Sequence, residues 1–420
     1  MELVSEKYKE AEAGLIPSDW EVKTIGEIFT FYSTSNFSKA EMLLNGEVGC
    51  VHYGLIHAID NSHYSLSNGT KYYVTKEQAK YENIQDGDVI MVDASEDLVG
   101  LNKSVEVFNL NNKEYIAGLH TFHLRDANSN YVGTFRGLIL NSNSVKKQML
   151  RLAVGMKVFG VSKPQLKQVF VPVPPKAEQT AIATGLSDAD ALITSLEELI
   201  TKKRNIKQGA MQKLLQPKEG WEVKKLGEIG KTFGGLSGKS KVDFTNGKFP
   251  YIPFMNIMSN PIIDTNYFDY VNVGIDESQN KALKGDLFFN GSSETPEEVG
   301  MCSVLLSDIP NLYLNSFCFG FRLNKDSKDE GLFLSYYFRS NEGRKLFYSM
   351  AQGATRYNLS KGNFMKMEVN LPKPEEQKEV ATTLTDMDNE IAGLETKLEK
   401  YKQVKLGMMQ NLLTGKIRLT

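Results

Sequence analysis

Trp20-Glu21-Val22-Lys23 returns as Trp221-Glu222-Val223-Lys224, and Glu178-Gln179 returns as Glu376-Gln377, with the landmarks between them in the same order. A chain that states one unit twice is a tandem of similar domains, and the simplest use of a doubled recognition unit is to read two things. The register can be followed outward from these anchors. Trp20 to Ile28, a strand-like opening, matches Trp221 to Ile229 at an offset of 201, and Val51, Tyr53 and Ile56 fall against Ile252, Phe254 and Ile257 at the same offset. Gly87-Asp88-Val89 matches Gly285-Asp286-Leu287 at 198, a tight turn entering an apolar strand. His120-Thr121-Phe122 is set against Asn315-Ser316-Phe317 at 195, and Gly155, Ser162 and Lys163 against Gly353, Ser360 and Lys361 at 198. So small a drift places the insertions in loops and leaves the framework shared. Between landmarks the copies scarcely resemble each other, which predicts two surfaces shaped for different targets; neutral drift after duplication is the alternative.

Each copy ends in a long helix. After Pro172, Pro174 and Pro175, apolar residues run Ile182, Leu186, Ala189, Ile193, Leu196, Ile200, and the second copy gives Val380, Leu384, Met387, Ile391, Leu394, Leu398. Steps that alternate four and three make the narrow seam of a coiled coil, flanked here by Glu and Lys, and the two seams are expected to pack on each other. The alternative is that each helix caps its own domain. Chain order lets the helices lie antiparallel only with the globular parts at opposite ends, and the stretch from Pro175 to Lys213 would span roughly 55 to 60 Å at 1.5 Å per residue. The expected fold is α+β: two similar globular α/β domains separated by two long antiparallel helices, with internal pseudo-two-fold symmetry. Its expected boundaries are 1–174, 175–215, 216–371 and 372–420.

Composition bounds the rest. The 420 residues, 41% hydrophobic and 24% charged, describe a globular chain of two to four domains. No apolar run approaches the roughly 18 residues needed to span a bilayer, and the N-terminal Met1-Glu2-Leu3-Val4-Ser5-Glu6-Lys7 does not read as a secretion signal, so a soluble cytoplasmic protein is expected. Cys50, Cys302 and Cys318 cannot all pair and show no C-x-x-C spacing, which suits a reducing cytosol and argues against structural zinc. A net charge of −2 does not advertise a polyanion partner, although Lys and Arg can still gather on one face.

Catalytic constellations are missing. Gly234-Gly235-Leu236-Ser237-Gly238-Lys239-Ser240 resembles a phosphate loop but lacks the four-residue spacing between its glycines. Asn260-Pro261-Ile262-Ile263 lacks the second proline and the aromatic of a base-methylating tetrapeptide. All five histidines lie in the first half; His120 and His123 could share a helical face, but opposite them the repeat places Asn315 and Cys318, which excludes a repeated metal site. No catalytic residue and no metal ligand is expected, and the chain does not read as an enzyme.

What remains has nucleic-acid character. Before each long helix stands a glycine-led basic loop, Gly155-Met156-Lys157-Val158-Phe159-Gly160-Val161-Ser162-Lys163 and Gly353-Ala354-Thr355-Arg356-Tyr357-Asn358-Leu359-Ser360-Lys361. Lys and Arg suit phosphates or guanine edges and Asn can pair with adenine. The loops after the Gly-Asp turns, Asp93-Ala94-Ser95 and Asn290-Gly291-Ser292-Ser293, are small and polar. Candidate DNA contacts are thus Ser95, Lys157, Ser162, Lys163, Asn290, Ser292, Ser293, Arg356, Tyr357, Asn358 and Lys361. Taken singly these are ordinary solvated loops; their recurrence at equal places argues for contact.

On these residues the chain resembles the specificity subunit of a type I restriction-modification system. Gly14-Leu15-Ile16-Pro17-Ser18-Asp19-Trp20-Glu21-Val22 is similar to that family's start. Pro172-Val173-Pro174-Pro175-Lys176-Ala177-Glu178-Gln179 and Leu371-Pro372-Lys373-Pro374-Glu375-Glu376-Gln377 resemble its signature before each helix, and Leu412-Leu413-Thr414-Gly415-Lys416-Ile417-Arg418-Leu419 its end. The resemblance implies two target recognition domains, each reading half of a split double-stranded DNA site, with the helices setting the spacer. It implies as partners two modification subunits that carry S-adenosylmethionine and methylate adenine N6, and restriction subunits that use ATP and magnesium, this chain binding no cofactor itself. A non-catalytic scaffold that joins two proteins without touching DNA would share the duplication and the coiled coil.

Overall fold

The computed structural model describes residues 8–59, 61–97, 100–351, 353 and 356–419. The chain divides into two compact units: one takes residues up to Glu197 together with those from Thr396 onward, the other Glu198–Glu395. Each unit therefore combines a globular domain with the first part of one long helix and the last part of the other. Among the described residues no helix is long and apolar enough to cross a membrane.

The two globular domains repeat one topology. In the first unit a five-stranded sheet runs in the order Thr30–Tyr32, Thr121–Arg125, Val89–Val92, Ser104–Phe108, His63–Ser65, the last strand parallel to its neighbour. The second unit gives Gly230–Gly234, Cys318–Leu323, Leu287–Asn290, Cys302–Val304, and a single parallel bridge from Ile262 to Val304 where the fifth strand would lie. Beside these stand matching three-stranded sheets centred on Val48–Val51 and Phe249–Ile252. Buried runs such as Val89-Ile90-Met91-Val92 and Leu287-Phe288-Phe289-Asn290 occupy the sheet centres, as apolar continuity requires of strands covered on both faces.

Strand pairing corrects the repeat in one place. Leu124 lies opposite Val89 and Phe321 opposite Leu287, so the final strands correspond at an offset of 197 rather than 195. His120 then falls with Phe317, Thr121 with Cys318, Phe122 with Phe319 and His123 with Gly320. A slip of two residues returns every side chain to its own face, so alternation in the sequence cannot detect it. Nor do His120 and His123 share a helix: His123 lies in the strand Thr121–Arg125 and His120 just before it, with left-handed φ of 56°.

The strand-like opening is also shorter than its sequence suggests. Glu21–Thr24 is a strand paired with Phe170–Val173, and Ile25–Ile28 is one helical turn capped by reciprocal bonds between Thr24 and Glu27. Glu222–Lys225 pairs with Glu368–Leu371 in the same way before the turn Leu226–Ile229. In each domain a strand near the start thus clamps to the last strand directly before the helix that follows.

The repeated Gln explains itself at that junction. Gln179, fully buried, accepts from Val132 N at 2.8 Å and donates to Pro174 O at 2.8 Å and Asn130 O at 3.2 Å. Gln377 accepts from Glu330 N at 2.8 Å and donates to Pro372 O and Asp329 Oδ1, both at 2.9 Å. Each amide satisfies all its main hydrogen-bonding capacity internally and so fixes the first turn of a long helix to its domain.

Those helices run Lys176–Leu214 and Pro374–Leu412, 39 residues each. None of the twelve seam residues is exposed: Ile182, Leu186, Leu196, Ile200, Val380, Leu384 and Ile391 are buried, and Ala189, Ile193, Met387, Leu394 and Leu398 are half-buried. The seam has two kinds of partner. Ile182 and Leu186 join the core of the first domain together with Leu412 and Leu413 from the end of the second helix, and Val380 and Leu384 join the second domain's core with Leu215. Capping a domain and pairing with a helix, posed as alternatives by the sequence, are both realised. Within the first unit Lys405 pairs with Asp190 and Lys402 with Glu197; within the second, Lys207 pairs with Asp388 and Arg204 with Glu395, so in each unit the helices run antiparallel. The outer pairs, Lys402–Glu197 and Arg204–Glu395, are exposed and set register more than stability.

Candidate nucleic-acid interface

The polar loops singled out in the sequence are brought together in each unit by a small antiparallel ladder. Phe159 pairs with Ser95 and Gly160 with Ala94; in the second unit Asn358 pairs with Ser292 and Tyr357 with Ser293. Before the ladder Gly155 and Gly353 have φ of 147° and 143°. A Cβ on either would stand 1.8 Å from Val158 O or 2.1 Å from Arg356 O, so only glycine lets the loop close on itself.

A third segment completes the junction, and its bonds repeat. Asp93 N donates to His120 O at 3.2 Å and Asp93 O accepts from Val161 N at 3.1 Å. In the second unit Gly291 N donates to Phe317 O at 3.1 Å and Gly291 O accepts from Leu359 N at 2.9 Å. Three loops distant in sequence therefore meet at one residue, by the same backbone bonds, in both units. Sequence reasoning misses Asp93, His120 and Phe317 as candidates, because only the corrected register shows that they share a place.

Of the candidate contacts, Lys157, Ser162, Lys163, Arg356, Asn358 and Lys361 are exposed, and Ser292 and Tyr357 are half-buried. Lys163 and Lys167 both stand over the Phe31 ring, at 5.3 and 5.4 Å, a local concentration of positive charge. Lys361 sits correspondingly beside the strand edge at Gly234, 3.4 Å from where a Cβ would be. Asn358 is exposed and donates to Arg356 O at 3.1 Å. Ser162 closes a capping box with Gln165 and starts the turn that presents Lys163. Ala354 and Thr355 lie outside the described residues.

Three candidates point inward instead. Asn290 is fully buried; its amide nitrogen donates to Ser292 O at 3.3 Å and Glu298 O at 2.9 Å, and its oxygen accepts from Met301 N at 2.6 Å. Ser293 is buried and donates to Glu298 Oε2 at 2.8 Å, and buried Ser95 accepts from Asp97 N at 3.4 Å. A side chain with its polar atoms committed inside the protein shapes a loop rather than meeting a ligand, so Asn290, Ser293 and Ser95 are corrected to that role. Lys239 of the glycine-rich stretch is likewise committed, donating to Asn272 O at 2.6 Å and Glu277 Oε2 at 2.5 Å, and forms no phosphate cradle.

Behind each junction lies a buried carboxylate. Asp88 accepts from Gln85 N and Asp286 from Leu283 N, which closes the Gly-Asp turns. Arg125 donates to both oxygens of Asp88, each at 2.8 Å, and Arg322 to both of Asp286, each at 2.7 Å. Their guanidiniums lie over Tyr32 and Phe233 at 4.5 and 5.0 Å. Burial pushes the Asp88 carboxyl up, and the bonds from Arg125 and His123 together push it further down, so it sits below the ordinary carboxylate range. This pairing holds the strand that leads directly into Asp93 or Gly291, and it fixes the junction from behind.

Comparison with known proteins places the chain. The profile of the type I restriction modification DNA specificity domain matches residues 17–208 and again 218–403. In Methanocaldococcus jannaschii, the chain named for the type I restriction enzyme MjaX specificity subunit is 27% identical, covering 99% of this chain and 97% of its own length. The MjaVIII specificity subunit of the same organism is 24% identical over 99% of this chain and 96% of its own. Among solved structures, the type I restriction-modification S subunit from M. genitalium has a TM-score of 0.53 at 16% identity, covering 94% of this chain and 96% of that one. A chain from a study of complex assembly and conformational transition of the type I R-M system has a TM-score of 0.58 at 16% identity, covering 96% and 99%.

Proposed function

This chain belongs to the type I restriction modification DNA specificity family, and we propose that within it each unit reads one half of a split double-stranded DNA site. It is a specificity subunit, which supplies recognition and no catalysis of its own. The observation that carries the proposal is the three-loop junction, built twice by the same backbone bonds but furnished with different exposed side chains. A repeated scaffold with unlike surfaces suits an asymmetric target, because phosphate contacts can be shared while base contacts differ.

On this reading Lys157, Lys163, Arg356 and Lys361 meet phosphates or guanine edges, while Ser162, Ser292, Tyr357 and Asn358 add polar contacts. The two long helices set the distance between the halves. They also dock two modification subunits, which bring S-adenosylmethionine and methylate adenine N6 on a base turned out of the stack. Restriction subunits with ATP and magnesium act on that assembly.

Replacing Lys157, Lys163, Arg356 and Lys361 together with alanine should weaken binding of cognate duplex by the chain assembled with its host's modification subunits. The slope of log affinity against log salt should also flatten, by roughly 0.9 for each phosphate that is no longer neutralised. Filter binding across a salt series checks this, and an unchanged slope would contradict it.

A further inference from the structure

At the point where the three loops meet, the two units carry opposite chemistry. The first has Asp93 beside His120, Asp93 Oδ1 lying 3.4 Å from His120 Nδ1. The second has Gly291 and, in the place of His120, Phe317, which is 62% exposed. Resting on the reading that each unit contacts DNA, we propose that these residues discriminate bases at equivalent positions of the two half-sites: Asp93 accepts from the exocyclic amino group of a cytosine or adenine, and Phe317 packs on the methyl group of a thymine.

The argument begins with the backbone. Asp93 and Gly291 are held by the same pair of bonds, so the two units differ there by the Asp93 side chain, while at the neighbouring position His120 is left-handed and Phe317 is not. The Asp93 side chain is 29% exposed, while its Oδ1 is enclosed and has no hydrogen-bond partner among the described residues. The carboxylate is thus partly enclosed, with Oδ1 facing His120. His120 is held in turn by its left-handed backbone and by Tyr53, whose ring meets the imidazole edge-on at 5.5 Å. The carboxylate is therefore aimed rather than loose.

A carboxylate among lysines on a DNA-facing surface repels phosphates and is useful there only if it takes a donor. In the major groove the donors are the cytosine N4 and adenine N6 amino groups. His120 beside it can donate to the acceptor that adjoins that amino group on the same base pair. Phe317 offers neither donor nor acceptor, and its backbone is fixed by a bond from its N to Asn315 Oδ1 at 2.9 Å. The one apolar feature a major groove presents is the thymine methyl.

The test uses the full chain assembled with its host's modification subunits and a set of duplexes in which each base pair of the methylated site is varied in turn. Asp93→Ala should drop the preference at one cytosine or adenine of a single half-site from the wild-type 10- to 100-fold to under about threefold, leaving the other half-site as an internal control of folding. Deoxyuridine in place of one thymine in the opposite half-site should weaken wild-type binding several-fold, and Phe317→Ala should be indifferent to that replacement. Unchanged base preferences in Asp93→Ala, or wild-type binding insensitive to deoxyuridine at every thymine, would overturn the inference while two selective half-sites kept the broader reading intact. A wild-type assembly with no sequence preference would overturn both.

Discussion

Truncation after Asn411 is expected to unfold the first unit and leave the second folded. Leu412 and Leu413 are buried in the first domain's core beside Trp20, Ile182 and Leu186. Burial of each contributes about 1.5–3 kcal/mol. Arg418 donates to Glu178 Oε1 at 2.5 Å and Oε2 at 2.7 Å and to both oxygens of Asp19. Glu178 is 3% exposed and also accepts from Trp20 Nε1 at 2.9 Å, so without Arg418 its charge is left in the core. Breaking such a pair from one side costs about 3–5 kcal/mol. The total approaches the roughly 5–15 kcal/mol that holds a whole domain together. Hydrogen exchange on the truncated chain checks this: amides of strands such as Val89–Val92 should lose protection while those of Leu287–Asn290 keep it.

The second large effect is expected from Asp88→Ala, with a loss of about 3–5 kcal/mol from the same unit. The substitution takes from Arg125 the bonds that mainly hold its charged form, leaving it Glu82 Oε1 and Asn83 O, each at 2.8 Å, and removes the 2.7 Å partner of buried His123. Calorimetry should show that unit's transition lowered by several degrees, with the other unit's transition in place. The carboxyl of Asp88 is depressed in the folded chain, so its contribution is complete above the unfolded value of about 3.9 and disappears as pH falls through the folded one. The gap in stability between parent and variant should therefore be full near neutrality and narrow as pH falls below about 4. Asp286→Ala should cost less, because Arg322 is 42% exposed where Arg125 is 14% exposed, and water can take up the stranded charge.

These effects show which parts of the molecule a sequence can declare. The duplication is legible because Gln179 and Gln377 fix the first turn of each long helix by like bonds, where the same geometry demands the same residue twice; Trp and Glu recur beside them although Trp20 bonds buried Glu178 while Glu376 pairs with Lys218. The helix seam is legible because burial along a helix imposes its own period. Arg125 and Arg322 stay hidden although they hold equivalent carboxylates, because the strand bearing them matches its counterpart in the sequence two residues out of register and its other residues differ, His123 against Gly320. The junction is only half legible. Its polar loops can be named, but which of their side chains face outward depends on partners far along the chain: Asn290 looks like a base-reading amide until Met301 and Glu298 are seen to consume it. Asp93 reads as one more member of a small polar loop, since nothing local reveals that His120 stands beside it.

The central claim is that one unit addresses one half of the DNA site. Exchanging residues 30–160 for the equivalent segment of another family member, and mapping adenine methylation genome-wide in a host carrying the chimera, tests it most directly. The account predicts a methylated sequence in which one half is new while the other half and the spacer between them are unchanged. A map in which both halves change, or in which neither does, would contradict it.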